Sequence, residues 1–186
     1  ASLSGDNMTF SITQAGNTNE ITAVISGNTY TGTWAFTGNS NTVDLLCDSI
    51  GGGNCDSVTL NITQTGDTNA YTINIGETAD AESATIAFTV TGDNNIINTD
   101  VDGTNADITV VMNNSASLAT SSANADEGNQ LDLTITGDGH SAGHSITLNI
   151  TGGGSTYTVT QSGVNDNTVN ATFSGDSQDV NIIQSD

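Results

Sequence analysis

The chain contains no lysine, no arginine and no proline, and only 4% of its 186 residues are aromatic. Its 21 acidic side chains give a formal charge of −21 at pH 7. Without lysine or arginine to meet a phosphate, binding to nucleic acid is not expected, and an anionic membrane surface is disfavoured for the same reason. No apolar stretch is long enough to span a bilayer, so membrane insertion is not expected either.

Groups that would carry catalysis are equally sparse. Serine and threonine are abundant, but no histidine and base converge on them in a pattern that predicts a nucleophile. His140 and His144 stand in the glycine-rich stretch "GDGHSAGH", where their spacing does not bring two metal ligands together. We therefore expect a protein that is not an enzyme and that needs no cofactor.

The sequence has a glycine at intervals of eleven residues. Between these glycines apolar and polar residues alternate, which is the period of a strand and not of a helix. Two strands and two turns make a unit of 22 residues, which cannot bury its apolar face alone and must stack on its neighbours. The clearest series is Gly5, Gly16, Gly27 and Gly38, and the same interval returns at Gly92–Gly103 and Gly152–Gly163.

Alignment on the glycines gives fourteen predicted strands with one apolar face, from Phe10-Ile12-Gln14 to Val180-Ile182-Gln184. We predict an all-β fold, a two-sheet β-solenoid of about seven 22-residue coils that forms one domain over residues 1–186. At about 4.8 Å per coil it would be about 33 Å tall. Loop insertions are predicted at residues 48–57, 77–84, 113–130 and 137–144.

A polar phrase marks one corner of the predicted coil, since "SITQAGNTNEI" (11–21) returns as "NITQTGDTNAY" (61–71). An asparagine three residues after the corner glycine can bond the turn backbone and the amide of the next coil, which predicts a stacked ladder. Glutamines that end inward-facing strands need partners and are predicted to join amide ladders. The predicted ladder residues are Asn19, Asn41, Asn69 and Asn95, with Gln14, Gln64, Gln161 and Gln184.

The two cysteines lie close together in "CDSIGGGNC", at Cys47 and Cys55. In a secreted protein this spacing favours a local disulfide that closes a glycine loop, whereas in a cytosolic chain it would be two free thiols. The first residues, "ASLSGDN", suit a mature N-terminus left by a signal peptidase. We expect a secreted, extracellular protein with the disulfide formed.

One turn contains spaced carboxylates that resemble a calcium loop. Asp100, Asp102 and Asp107 lie in "DVDGTNAD", but the spacing differs from that of an EF-hand and the closing glutamate is missing. The alternatives are a weak calcium site and a plain solvated turn.

The predicted outward face of the first sheet is rich in threonine, as in Thr31-Thr33 and Thr85-Thr89. A flat threonine face at strand spacing is typical of ice-binding solenoids, but threonine is also the polar residue that best suits a strand.

The phrase I-x-Q-x-G-x-x-N within strand–turn–strand units of about 22 residues resembles the curlin repeat. The best matches are residues 10–25, 60–75 and 157–173, with a weaker one at 178–184, while Phe36 and Val90 replace the glutamine at equivalent positions. Curlins are the secreted subunits of curli, the functional amyloid of the bacterial biofilm matrix. The resemblance therefore implies a β-solenoid that assembles with copies of itself.

We expect a secreted structural subunit that assembles end to end into an extracellular cross-β fibre, with itself as its partner. Exposed strand edges are usually blocked by lysine, proline or a cap, and neither residue is present in the chain. The alternatives are a monomeric binding solenoid, such as an adhesin or an ice-binding module, and a phage-type fibre solenoid. The residues expected at the assembly ends are Phe10, Ile12 and Gln14 at one end, and Val180, Ile182 and Gln184 at the other.

Overall fold

The computed structural model describes residues 1–47, 55–76, 83–92, 95–102, 106–113, 130–136, 145–151, 156–161, 168–174 and 179–184. Fifteen β-strands and no helix are found in these ranges. The strands are β1 (Ser2–Ser4), β2 (Met8–Ala15), β3 (Glu20–Ser26), β4 (Thr29–Thr37), β5 (Thr42–Cys47), β6 (Ser57–Thr65), β7 (Ala70–Ile75), β8 (Ser83–Thr91), β9 (Ile96–Asp102), β10 (Ala106–Asn113), β11 (Gln130–Thr136), β12 (Ser145–Thr151), β13 (Thr156–Gln161), β14 (Thr168–Ser174) and β15 (Asp179–Gln184).

Successive strands alternate between two parallel sheets. The seven-stranded sheet runs from β2 to β14 through the even-numbered strands, and the eight-stranded sheet runs from β1 to β15 through the odd-numbered strands. Each strand therefore pairs with the strands one coil before and one coil after it, which is the arrangement of a solenoid. The predicted all-β, two-sheet solenoid is confirmed.

The strand count differs slightly from the predicted fourteen. The additional strand is β1, which pairs with β3 through Ser2↔Val24, Leu3↔Ile25 and Ser4↔Ser26. The sequence prediction began near residue 8, because three residues with a single inward side chain, Leu3, are too short to show an alternating pattern.

The alternating pattern places the core as predicted. In β6 the side chains of Leu60 and Ile62 are buried, whereas those of Asn61 and Thr63 between them are exposed. Ile62 lies in register between an inward residue of β4 and one of β8. The stacked inward residues form one continuous apolar core between the two sheets.

An aromatic chain runs along this core. The rings of Phe10, Trp34, Phe36, Tyr71 and Phe88 contact in that order, with centroids 5.8–6.4 Å apart. Most of these pairs meet edge to face, an arrangement that stabilises the fold by more than the buried area alone would provide.

Gly32 interrupts the apolar positions of β4 because Tyr30 occupies the space beside it. A Cβ atom at Gly32 would collide with the hydroxyl group of Tyr30. That hydroxyl accepts a hydrogen bond from Trp34 Nε1 (2.9 Å) and donates one to the carbonyl of Phe10 (3.3 Å). The glycine thus makes room for a buried polar group that has its partners.

Parts of the predicted insertions are strand. β6 begins at Ser57 and β8 at Ser83, inside the predicted insertions 48–57 and 77–84. The insertion predicted at 113–130 begins at the last residue of β10 and ends at the first of β11. The remaining insertion residues, except Cys55 and Asp56, lie outside the described residues, as do His140 and His144. The described ranges contain no helix that could cross a membrane.

Candidate assembly surfaces and corner ladder

The regular corner between the two sheets is a four-residue turn with two left-handed positions. In the turn from β2 to β3, Gly16 has φ +123° and Thr18 has φ +59°. The same pair recurs at Gly38 with Ser40 and at Gly66 with Thr68. The sequence predicted the glycine, but it gave no signal for the left-handed threonine, because β-branched residues are outliers there.

The corner glycines are also fixed by close approach between coils. A Cβ atom at Gly38 would collide with the carbonyl oxygen of Gly16 in the coil before it. The backbone N–H of Gly16 donates to Thr37 at 3.0 Å, so each corner backbone is bonded to the next. A glycine at each of these corners is therefore required by coil stacking as well as by the turn.

The four predicted asparagines do stack. The side-chain oxygen of Asn41 accepts from the backbone N–H and the amide of Asn19, both at 3.0 Å. Asn69 Oδ1 accepts from the Asn41 N–H at 2.7 Å, and Asn95 Oδ1 accepts from the Asn69 N–H at 2.9 Å. Because each bond joins consecutive coils, this inner column holds the corners in register.

A second, outer column runs alongside it in the opposite direction. Asn17 Oδ1 accepts from the Asn39 N–H, and Asn39 Oδ1 accepts from the Asp67 N–H, each at 2.8 Å. This column was missed, although an Asn or Asp directly after each of these corner glycines was the signal for it. The two columns together account for the polar phrase that the chain repeats.

Gln14 and Gln64, predicted as ladder residues on the seven-stranded sheet, do not form an amide ladder with each other. Gln14 lies opposite Phe36, and Phe36 lies opposite Gln64, so the two glutamines are not neighbours. Gln64 is fully buried and accepts a hydrogen bond from the hydroxyl of Tyr71, while its amide donates to the Gly66 carbonyl at 3.3 Å. A tyrosine from the opposite sheet has replaced the amide partner that the ladder would have supplied.

On the eight-stranded sheet, Gln161 and Gln184 are neighbours in register. Gln161 is buried, and its amide donates to the carbonyl of Thr168 at 3.0 Å. Its side-chain oxygen has no hydrogen-bond partner among the described residues, whereas Gln184 is exposed on the last strand.

The predicted assembly ends are the terminal strands of both sheets. At the first end β2 has a paired strand on one side only, and Phe10, Ile12 and Gln14 on it are half-buried. At the other end β14 and β15 are the terminal strands.

The apolar side chains of this second end are accessible. Val180 is 37% and Ile182 is 40% exposed, although both occupy inward positions of the register. Ile183, which faces outward, is 51% exposed. In the middle of the solenoid the inward residues are almost completely buried. The exposed surface of Val180 and Ile182 is therefore the surface that one further coil would cover.

The two cysteines form a disulfide. The sulfur atoms of Cys47 and Cys55 are 2.06 Å apart, with Cα atoms 6.0 Å apart, and both residues are fully buried. Cys47 occupies an inward position between Ile25 and Ile75. The bridge thus joins the end of β5 to the approach to β6 within the core.

The candidate calcium residues are only partly described. Asp100 lies on β9 and Asp107 on β10, which belong to different sheets, and both side chains are exposed. The side chain of Asp102 lies outside the described part. No group of three acidic, histidine or cysteine side chains that could hold a metal is found in the described ranges.

The outward face of the seven-stranded sheet contains the predicted threonines. Thr9, Thr31, Thr59 and Thr85 form one column in register, which ends at Asp107. The neighbouring columns are interrupted by other residues, namely Ala35, Asn61, Ala87 and Val111.

No family model, curated protein or solved structure matches this chain. The likeness to curlin repeats therefore depends on the repeat residues alone.

Proposed function

We propose that the protein is a secreted structural subunit that assembles end to end with copies of itself into an extracellular cross-β fibre. The observation that carries this proposal is made at the two solenoid ends, where, among the described residues, parallel strands with accessible apolar side chains are terminal in both sheets. A second copy is the partner that fits both ends, because it continues the same backbone ladder.

The register supports the fit of a second copy. Along the seven-stranded sheet Val169 occupies the column of Phe10, and Ala171 occupies the column of Ile12. If β2 of a neighbour pairs with β14, apolar side chains therefore meet apolar side chains. The contact joins different surfaces of the two copies, so it is heterologous and repeats into a filament where the rotation between copies does not close a ring.

The lack of lysine and proline on the strand edges also supports assembly. Soluble sheet proteins commonly place lysine or proline on exposed edges, and this chain has neither. The buried disulfide supports the extracellular location, since such bonds persist in oxidising compartments.

Two neighbouring isoleucines of β15 provide a matched test. Both are exposed in the monomer, so an aspartate at either position leaves the fold intact. Only Ile182 faces inward and is covered when another coil is added, so Ile182→Asp would bury an unpaired charge at every junction. We expect Ile182→Asp to remain a folded monomer and Ile183→Asp to form fibres.

Electron microscopy and fibre diffraction measure the outcome. The parent protein should form filaments with a spacing of about 4.8 Å along the axis and one subunit per about 33 Å. A parent protein that stays monomeric at high concentration in salt contradicts the proposal and favours a monomeric binding solenoid.

A further inference from the structure

The two sheets have different numbers of strands, and this matters for any continuous fibre. In the part of the chain that the structure describes, one sheet contains eight strands and the other seven. In a continuous fibre each subunit adds the same length to both sheets, so it must contribute the same number of strands to both sheets. One strand of the eight-stranded sheet must therefore leave its place when a neighbour is added.

The strand that stands in the way is β1. It occupies the outer edge of β3 with only three paired residues, and Leu3 lies above Ile25. The contact is completed by hydrogen bonds from the Val24 N–H to the Ala1 carbonyl (2.9 Å) and from the Gly5 N–H to the Ser26 carbonyl (3.0 Å).

The last strand of a neighbouring copy requires the same edge. Following the register through the eight-stranded sheet places Ile182 in the column of Ala23 and Gln184 in the column of Ile25. In a continuous solenoid β15 of one copy therefore lies on β3 of the next. Gln184 and Leu3 cannot both occupy the position above Ile25.

We propose that β1 is an exchangeable strand, which covers part of the β3 edge in the monomer and is displaced by β15 of the neighbouring subunit during assembly. This inference rests on the proposed fibre. β15 has the advantage in the exchange, because it presents six residues to the edge where β1 pairs three. Each residue added to a parallel ladder brings further backbone hydrogen bonds and further burial of inward side chains.

The exchange makes assembly directional. A subunit whose β1 cannot leave still carries a normal β15, so it can join a growing fibre through that strand. It then presents a blocked β3 edge and stops further growth at that end. Such a subunit is a chain terminator and remains a fully folded monomer on its own.

A reversible covalent lock tests this directly. Ser2 and Val24 are register partners on the outward face, at the spacing of neighbouring strands, which suits a disulfide. We expect oxidised Ser2→Cys/Val24→Cys protein to form no long fibres alone and to halt growth of parent fibres at one end when added in small amounts. Reduction of the engineered bond should restore growth.

The parent protein given the same reductant is the control for Cys47–Cys55, which is fully buried. A complementary variant, Leu3→Ser, weakens the contact with Ile25 and should speed seeded elongation by about tenfold, because a half-buried leucine no longer opposes the exchange. It should leave the thermal stability of finished fibres unchanged, since β1 is displaced there. A purely structural role for Leu3 would lower the stability of monomer and fibre alike.

The outcomes separate the exchange from the fibre. If parent protein forms fibres and the oxidised double variant elongates at the parent rate, β1 is not displaced and the inference is wrong. If the parent forms no fibres under any condition, the proposed function fails and the exchange fails with it. Growth that stops at one end in the oxidised form and resumes on reduction supports both.

Discussion

At the residue scale, Tyr71 and Gln64 form a buried polar contact inside the core. The Tyr71 hydroxyl donates to the Gln64 side-chain oxygen across the two sheets, and both residues are almost completely buried. Tyr71→Phe would leave that oxygen without its donor, which costs about 1–3 kcal/mol of unfolding free energy. Chemical denaturation measures this loss.

The matched control replaces both partners. Tyr71→Phe combined with Gln64→Leu removes the unpaired oxygen along with the hydroxyl, so it should be more stable than Tyr71→Phe alone. Equal stability of the parent and of Tyr71→Phe would mean that the hydrogen bond contributes nothing.

The two buried tyrosines also predict how stability depends on pH. Burial raises the pKa of Tyr30 to about 12, partly offset by its hydrogen bond with Trp34, and burial raises the pKa of Tyr71 further. Below pH 10 both tyrosines are protonated whether the chain is folded or unfolded, so they add no pH dependence. Between pH 10 and 12 the unfolded chain releases protons that the folded chain retains, so stability falls as pH rises.

Thermal unfolding between pH 8 and 12 checks this prediction. In Tyr71→Phe the unfolding temperature should fall less steeply with pH above pH 10, because the folded variant has one tyrosine proton fewer to retain. A slope identical to that of the parent would show that Tyr71 does not titrate abnormally in the folded protein.

At the scale of the element, the strands were predictable because their signal is local. The burial alternation in β6 follows directly from the alternating sequence. Strand β1 was not predictable. It has only one inward residue, Leu3, and its position depends on β3, which lies more than twenty positions along the chain. The partner of Gln64 was missed for a different reason, since Tyr71 is only seven residues away but reaches it from the opposite sheet.

The inside–outside assignment of β6 can be tested with two neighbouring residues. Ile62 is 1% exposed and lies in the aromatic-lined core, whereas Thr63 is exposed. Ile62→Asp would bury an unpaired charge and should prevent folding, while Thr63→Asp should change stability by less than about 0.5 kcal/mol. Circular dichroism and denaturation distinguish them, and similar behaviour of the two variants would contradict the register.

At the scale of the whole molecule, the charge opposes the end-to-end assembly that we propose. Every subunit carries a formal charge of −21, and stacking subunits about 33 Å apart brings like charges together along the fibre. Salt shortens the range of this repulsion, from about 10 Å at 0.1 M to about 3 Å at 1 M. The concentration needed for fibre growth should therefore fall as sodium chloride is raised.

Divalent cations separate general screening from a specific site. If Asp100, Asp102 and Asp107 bind calcium, then calcium should promote fibre growth more than magnesium at the same ionic strength, because calcium accepts more carboxylate ligands in a flexible geometry. Asp107→Asn should remove that difference and leave the effect of sodium chloride unchanged. Equal effects of the two cations would mean that the carboxylates act only through their summed charge. Growth that is insensitive to all three salts would show that strand pairing at the ends outweighs the repulsion even when the charges are unscreened.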